Sequence, residues 1–599
     1  VERERKRMPA PVIALEDVVG GVGAAVGDVV VMNGGVDVPA EGVGAVDVVA
    51  TAAFAVSGDL SPSFDAIYHL LAFLAPSSFP DSFSVDTDSL TAYSFHHSPF
   101  IDLTKAPTSY IEAVSRSDAS AWKAAMAREE RSLEEMGAFE EVELPPGQPT
   151  VTLIWVFANK TDAEGAIILG KEKARVVAQG CSQWLGQFDE TYAPVAKIAS
   201  VRILIAWAMV QNIDIFQFDC KTAFLHAKIR HPIYACPYPG YVQSHPKLVL
   251  KILVALYGLR QSAYEFYTLF LSLLLDLGMI RCEVDHGVFF GRWLSPPDPS
   301  VMMPDDGSQL QLYVPLHVDD GLAITNSPSL YQWFIKTLKH RLLIVDLGPC
   351  EKFLNILIIR DCPNCKAWLT SHVYVAELLD KWNLSNCKVA ITPFPSNYLE
   401  LPPVPSNAMP DICDADLIPR YQRLVGCLLY LAVATCPDIS YYAMWLGQFN
   451  ANPTRSHFLL AKHVLCYLAG TKNLALSFGT PSDILPSSLA GYMQNVGCSD
   501  ADWASDSKDQ KSISSYSFFF EGSLVSWSAV KQKSIALSST EAEYYAMTHA
   551  FKEGLWLRSF LSFLKFPIPC PFPILSDNQA ACSLSNSPAI SAHSKHIGI

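Results

Sequence analysis

The segment LYVPLHVDDGLAIT, residues 312–325, sets two adjacent acids between two apolar arms and follows them with glycine. That pattern predicts a β-hairpin with buried arms and the acids at its tip. Two carboxylates fixed side by side repel each other unless a cation is near. Mg²⁺ suits such a place, because it takes a few carboxylates together with water and phosphate oxygens. Asp219, at the end of the strand-like run DIFQF, is a candidate third acid. Taken alone, Asp-Asp-Gly is more often a plain turn than a metal site, since Asp and Gly are common turn formers.

Short apolar runs alternate with helical stretches around this hairpin. TLIWVFANK and FQFDC read as strands, and 197–210 and 260–280 as helices, which predicts an α+β domain. Upstream, Ser117 or Asp118 is placed to cap a helix whose Trp122, Met126, Leu133 and Met136 share one face. A chain of 599 residues exceeds what one core supports and implies several domains. Residues 1–106 divide into a Val/Ala/Gly tract without clear periodicity and a Ser/Pro-rich linker, read together as poorly ordered. Residues 390–418 read as a second linker and 419–470 as a helical block. A second α/β unit starts near 490, with the order strand, strand, helix 540–564 and strand 573–576. The apolar run 267–275 stops at Asp276, short of the ~18–20 residues a membrane span needs, so a buried helix and no membrane partner are expected.

The formal charge of −15 argues against a nucleic-acid partner until it is divided along the chain. Residues 1–150 hold 9 Lys+Arg and 23 Asp+Glu, a net of −14, which leaves −1 for the remainder. Within 151–265 the count is 12 against 8, so a basic surface around an acidic site is possible. The 15 scattered cysteines show no disulfide framework and suit a reducing compartment. Cys362 and Cys365 form a single CxxC with no second pair. Flanked by apolar runs, DCPNCK reads as a hairpin turn rather than a zinc site.

A second group of acids is spread more widely. Asp500 ends a strand-like run in GCSDADW, Glu541 lies at a helix start in SSTEAEYYAM, and Asp577 follows PFPILS. Acids from two strand ends and a helix can converge on two metal ions that hydrolyse a phosphodiester. Spacing alone permits this without requiring it, and a capping Glu with two loop aspartates is the plainer reading.

The strings around these acids occur in a fixed order. WVFANKTDAEG, KARVVAQG, ETYAPVAK, FDCKTAFLHA, LYGLRQS, HVDDGLAIT and DLGPCEKFL are followed by YQRLVGCLLYLAVATCPDIS, GCSDADWAS, VSWSAVKQKSIALSSTEAEYYA, SDNQAA and SKHI. Over about residues 107–599 the chain resembles the reverse transcriptase and ribonuclease H region of copia-type (Pseudoviridae) LTR retrotransposon Pol polyproteins. The resemblance implies a right-hand polymerase domain with fingers and palm over 107–390. It implies a linker and helical connection over 391–489, and an α/β ribonuclease H-like domain over 490–599, truncated at its C-terminus.

It further implies RNA-directed DNA polymerase activity with Asp219, Asp319 and Asp320 as catalytic, metal-holding acids. Lys173, Arg175, Phe224 and Gln261 correspond to residues around the incoming nucleotide. Asp500, Glu541 and Asp577 correspond to the hydrolytic acids of the second domain. The implied cofactor is Mg²⁺, two ions per active site, with Mn²⁺ as an alternative. The implied partners are an RNA template, a DNA primer, RNA–DNA hybrid and dNTPs, with integrase, protease and capsid elsewhere in an intact element. The implied location is a cytoplasmic virus-like particle or the nucleus.

Departures from the family pattern are His317 for Tyr, Ala263–Tyr264 for Pro-Arg, Asn355 for Gly and Gly598 for Asp. With a first Met only at position 8, the chain reads as a fragment or an imperfect gene reading. The alternative expectation is a decayed or domesticated copy that folds and binds nucleic acid without catalysis.

Overall fold

The computed structural model describes residues 106–159, 170, 172–184, 186–396, 398, 417–479, 495–505, 509–566 and 572–586, together with the backbone of 12–14. The readings made for most of 1–105, for 399–416 and for Gly598 lie outside the described residues.

Among the described residues four sheets carry the mixed α/β fold. The first has five strands in the order Phe139–Glu143, Leu248–Val254, Lys228–Cys236, Thr150–Ala158, Lys173–Ala178. Helix Ala119–Glu135 packs on it through Trp122, Ala125, Met126 and Leu133, the face marked by the apolar spacing. Asp118 stands at the N-cap position but does not cap with its side chain. It accepts instead from Arg116 and from Trp122 Nε1, which ties the start of the helix to its own first turn.

The second sheet has six strands in the order Ile344–Pro349, Asp214–Cys220, Asp320–Thr325, Leu310–His317, Val288–Trp293, Ile280–Arg281. Helix Ser262–Asp276 buries Phe266, Tyr267, Phe270, Leu273 and Leu274 with this sheet's core, so the run that ended at Asp276 is an interior helix. No helix of the described residues is long and apolar enough to cross a membrane.

A four-stranded sheet follows, Lys352–Phe353, Ile356–Asp361, Lys366–Thr370 and Leu476–Phe478. Cys362 and Cys365 occupy the tip of its central hairpin, with Cys365 at φ +52°. The helical block comprises Leu417–Ala434, Ser440–Gly447 and Arg455–Thr471.

The last sheet places Val12–Ala14 beside Pro573–Leu575, then Asn495–Asp502, Ile513–Phe520 and Ser523–Lys531, and helix Ser539–Phe563 packs against it. Two features differ from the sequence reading. Three strands precede the long helix rather than two, because Glu521 (φ +50°) and Gly522 (φ +76°) form a two-residue turn of the kind that joins twisted hairpin strands. The apolar triplet Val12–Ala14, in a tract read as unstructured, adds an antiparallel edge strand to Pro573–Leu575.

Helix Ile198–Val210 links the second and last sheets. Every residue from Ala199 to Met209 is buried, as expected for a helix apolar on all sides. Trp207 stacks on Phe566 at 4.3 Å, and Arg202 reaches the carbonyl of Val525 at 2.8 Å. Arg202 also donates to the Val433 carbonyl and lies 3.8 Å over the Trp527 ring.

Candidate active site

The hairpin expected from the sequence is present, with Leu312 opposite Thr325 and His317 opposite Asp320. Val318 in its turn has φ +60°, a strained conformation for a β-branched residue. The strand Asp214–Cys220 lies beside the second arm in a register that sets Asp219 directly opposite Asp320. Directly opposed residues of an antiparallel pair project to the same face. The Cys220 N–H donates to the Asp319 carbonyl at 3.0 Å, which fixes the tip against the neighbouring strand. Gly321 is required here, because a β carbon would lie 2.2 Å from the Phe218 ring that crosses it.

Electrostatics mark the cluster as strained without a cation. Burial, then the charges of Asp319 and Asp219, push the Asp320 carboxyl up to about 6, and Lys173 opposes the shift. Lys173 and Arg175 open the strand Lys173–Ala178 of the first sheet. The Arg175 guanidinium sits 4.1 Å over the Tyr257 ring, and Tyr257 packs on Phe224 at 4.7 Å. Burial pushes the Tyr257 hydroxyl up to about 12, with Arg175 pulling it down and Asp319 and Asp219 adding to the rise. Tyr257 thus joins Arg175 to Phe224 beside the acids, a role no sequence argument had assigned.

Two glycines fix the approach of the sheets. A β carbon on Gly258 (φ +91°) would lie 2.0 Å from the Ala178 carbonyl oxygen, and one on Gly180 would lie 2.2 Å from that of Gly258. This contact holds the turn bearing Tyr257 against the end of the strand bearing Arg175.

The resemblance sets Gln261 beside the incoming nucleotide, and the structure sets it at the start of helix Ser262–Asp276. It is 2% exposed, accepts from Gln183 Nε2 at 3.0 Å and donates to the Gln187 carbonyl at 3.2 Å. Its amide braces loop 183–187 against the start of helix Ser262–Asp276.

The second acidic group also forms, with one substitution of partner. Among the described residues one trio of potential metal-ligand side chains closes to within 4.8 Å of one another, and it is Asp500, Glu543 and Asp577. Glu541 is elsewhere. Its N–H donates to Ser538 Oγ at 3.2 Å and its carboxylate accepts from the Leu537 N–H at 2.7 Å, so it caps the long helix. Residues two apart on a helix diverge by about 200° and cannot serve one site together.

Glu543 is buried and its Oε2 has no hydrogen-bond partner. Burial first, then Asp500 and Asp577, raise the Glu543 carboxyl, and burial followed by Asp577 raises Asp500. An orphaned buried carboxylate oxygen within a trio of acids is the donor set a divalent cation fits. Asp577 is the exposed member and opens the trio to solvent.

The chain matches the family described as "Reverse transcriptase (RNA-dependent DNA polymerase)" over residues 136–396. It is 31% identical over 497 residues to the "Retrovirus-related Pol polyprotein from transposon TNT 1-94" of Nicotiana tabacum, covering 83% of this chain and 35% of that protein. It is 32% identical over 462 residues to the corresponding polyprotein of transposon RE1 of Arabidopsis thaliana, covering 76% and 29%. The chain belongs to the reverse transcriptase family of copia-type Pol polyproteins.

It spans about a third of the length of these Pol relatives. Among solved structures, a foamy viral protease-reverse transcriptase in complex with double-stranded DNA aligns with 78% of this chain and 68% of its own, at TM-score 0.37 and 10% identity.

Within this Pol chain the two residues that sequence reasoning missed had unequal signals. Ser538 and Glu541 fit the S-x-x-E pattern of a helix start, which points Glu541 to the helix end and leaves Glu543 to join Asp500 and Asp577. Tyr257 had no comparable signal, because nothing in LYGLR indicates which ring Arg175 covers.

Proposed function

We propose that this chain extends a DNA primer on a nucleic-acid template at Asp219, Asp319 and Asp320, as an RNA-directed DNA polymerase. The observation that carries the reading is the register that sets Asp219 opposite Asp320 at a strained hairpin tip, with Lys173 near enough to moderate the charge. Asp219 and Asp319 hold Mg²⁺, two ions per site, and Asp320 supports them through its charge. Bound divalent ions supply Lewis-acid activation of a primer hydroxyl and neutralise phosphate oxygens. Arg175, steadied by the Tyr257 ring, and Lys173 face the triphosphate of a dNTP, where their cations balance its charge. Phe224 packs behind Tyr257 and shapes the sugar side of the pocket.

In this reading the first two sheets are the fingers and palm, the helical block is the connection and the last sheet is a ribonuclease H-like unit. Asp500, Glu543 and Asp577 then bind divalent cations and cut the RNA strand of an RNA–DNA hybrid. Contacts to template are mainly to backbone, since a copying enzyme must accept every sequence. Its setting is the cytoplasmic particle of a mobile element, with integrase, protease and capsid as companion parts.

The alternative, a decayed copy, loses one of its supports. Asn355 stands at φ +60°, and Asn is among the residues that tolerate this conformation, so the change from Gly is absorbed. Template-directed incorporation tests the reading. Given an RNA template, a DNA primer and Mg²⁺, the chain should add only the complementary dNTP. No addition, or addition that ignores the template, favours the decayed copy.

A further inference from the structure

Trp122, Met126 and Leu133 face the first sheet from helix Ala119–Glu135, and Glu129 falls on the same stripe, between Met126 and Leu133 at helical spacing. An acid at a position patterned for an apolar side chain costs solvation unless it gains a partner. The partner of Glu129 is a backbone group.

Among the described residues, strand Lys173–Ala178 is the outer strand of the first sheet, so every second residue turns its N–H and C=O away from the sheet. Helix Ala119–Glu135 meets this edge at two points. The Val176 N–H donates to Glu129 Oε1 at 3.2 Å, and Arg128 Nη2 donates to the Glu172 carbonyl at 2.9 Å. The two bonds bracket Lys173, Ala174 and Arg175.

Side chains alternate across a strand. Ala174, Val176 and Ala178 enter the core with Trp122 and Met126, so Lys173 and Arg175 project from the opposite face, where Arg175 meets the Tyr257 ring. The helix reaches these two cations by way of the strand edge rather than through the core. Burial raises the Glu129 carboxyl, and the Val176 N–H, Arg175 and Lys173 oppose the rise, so the carboxylate feels both cations. Glu129 also adds, after burial, to the rise in the Tyr257 hydroxyl.

We propose that Glu129 is a positioning residue for the incoming nucleotide, whose carboxylate holds the outer strand at Val176 and so fixes where Lys173 and Arg175 direct their cations. The inference rests on the polymerase reading for the identity of the ligand, a dNTP. A carboxylate and a triphosphate repel, so Glu129 acts through the strand and not on the nucleotide. Its effect falls on nucleotide affinity and spares the chemical step.

The test is steady-state primer extension by the full chain on an RNA template. Calorimetric binding of dTTP to the chain on a primer–template duplex, in Ca²⁺ instead of Mg²⁺, accompanies it. Glu129→Ala should raise the KM and the Kd for dTTP about tenfold, the scale of one hydrogen bond to a charged group, and keep kcat within about twofold. Glu129→Gln retains an oxygen for the Val176 N–H and should recover most of the lost affinity. Arg128→Ala, at an exposed residue, removes the other edge contact and should raise KM about threefold, which keeps the test open should Glu129→Ala fail to fold.

Unchanged KM in a folded Glu129→Ala chain overturns the proposal, and so does a fall in kcat alone. Glu129→Gln as impaired as Glu129→Ala overturns it too, because the retained acceptor then does nothing. Where Glu129→Ala does not fold, unchanged KM in Arg128→Ala overturns it. A parent chain that binds dTTP yet never extends the primer refutes the polymerase reading, and a tenfold weaker Kd in Glu129→Ala then keeps this inference. A parent chain that binds no dTTP overturns it.

Discussion

Asp320 faces Asp219 across two neighbouring antiparallel strands, and the same tip is tied by the Cys220 N–H to the Asp319 carbonyl at 3.0 Å. The strand register alone brings together acids a hundred residues apart in the chain. Their repulsion in the absence of a cation gives the first prediction.

The folded-state pKa of Asp320, raised to about 6, lies above the unfolded value. Its ionisation therefore costs stability as pH rises from about 4 to 6, and the cost stays above that window. In metal-free buffer Asp320→Asn should raise Tm at pH 7.5 and lose that advantage by pH 4. Mg²⁺ should raise the Tm of the parent chain more than that of the variant. Equal Tm values at pH 7.5 contradict the electrostatic account.

Glu541 and Glu543 should separate cleanly on substitution. Glu543→Gln should abolish Mn²⁺ binding at the second site, read by electron paramagnetic resonance, and should stop cleavage of hybrid RNA. Glu541→Ala should keep Mn²⁺ binding but lower stability by about 1 kcal/mol through loss of the cap. The reverse outcome returns the site to Glu541.

Val318 stores backbone strain at the tip, at φ +60°. Val318→Gly should stabilise the chain by about 1 kcal/mol in denaturant unfolding. The same change should slow primer extension, because a glycine turn holds Asp319 less firmly. A destabilised variant shows that side-chain packing at 318 outweighs the strain.

Tyr257 orients Arg175 by lying under its guanidinium at 4.1 Å. Tyr257→Phe keeps the ring and should leave the KM for dNTP near the parent value. Tyr257→Ala should raise that KM about tenfold, equivalent to about 1.4 kcal/mol, within the range for a partly desolvated cation–π contact. A uniform fall in kcat with unchanged KM places Tyr257 outside the nucleotide pocket.

The sequence was most legible where periodicity and turn chemistry agreed. Two apolar arms around Asp-Asp-Gly gave the hairpin, and the apolar run 197–210 gave the buried helix. Three features were harder to read. A helix turns about 100° per residue, so TEAEY offers two acids of which only one can face a given site, and the S-x-x-E spacing from Ser538 separates them. The hydrogen bonds of Gln261 run to Gln183 and Gln187, about eighty residues earlier in the chain, a pairing that local pattern does not report. The Arg175–Tyr257–Phe224 stack depends on the close approach of Gly180 and Gly258, which local pattern does not report.

Primer extension on an RNA template with Mg²⁺, comparing the parent chain with Asp319→Asn, tests whether the hairpin acids carry polymerisation. The parent should extend the primer as the template directs, and the variant should lose at least about a thousandfold, about 4 kcal/mol of transition-state stabilisation. Equal extension by both chains, with the variant folded, contradicts that role.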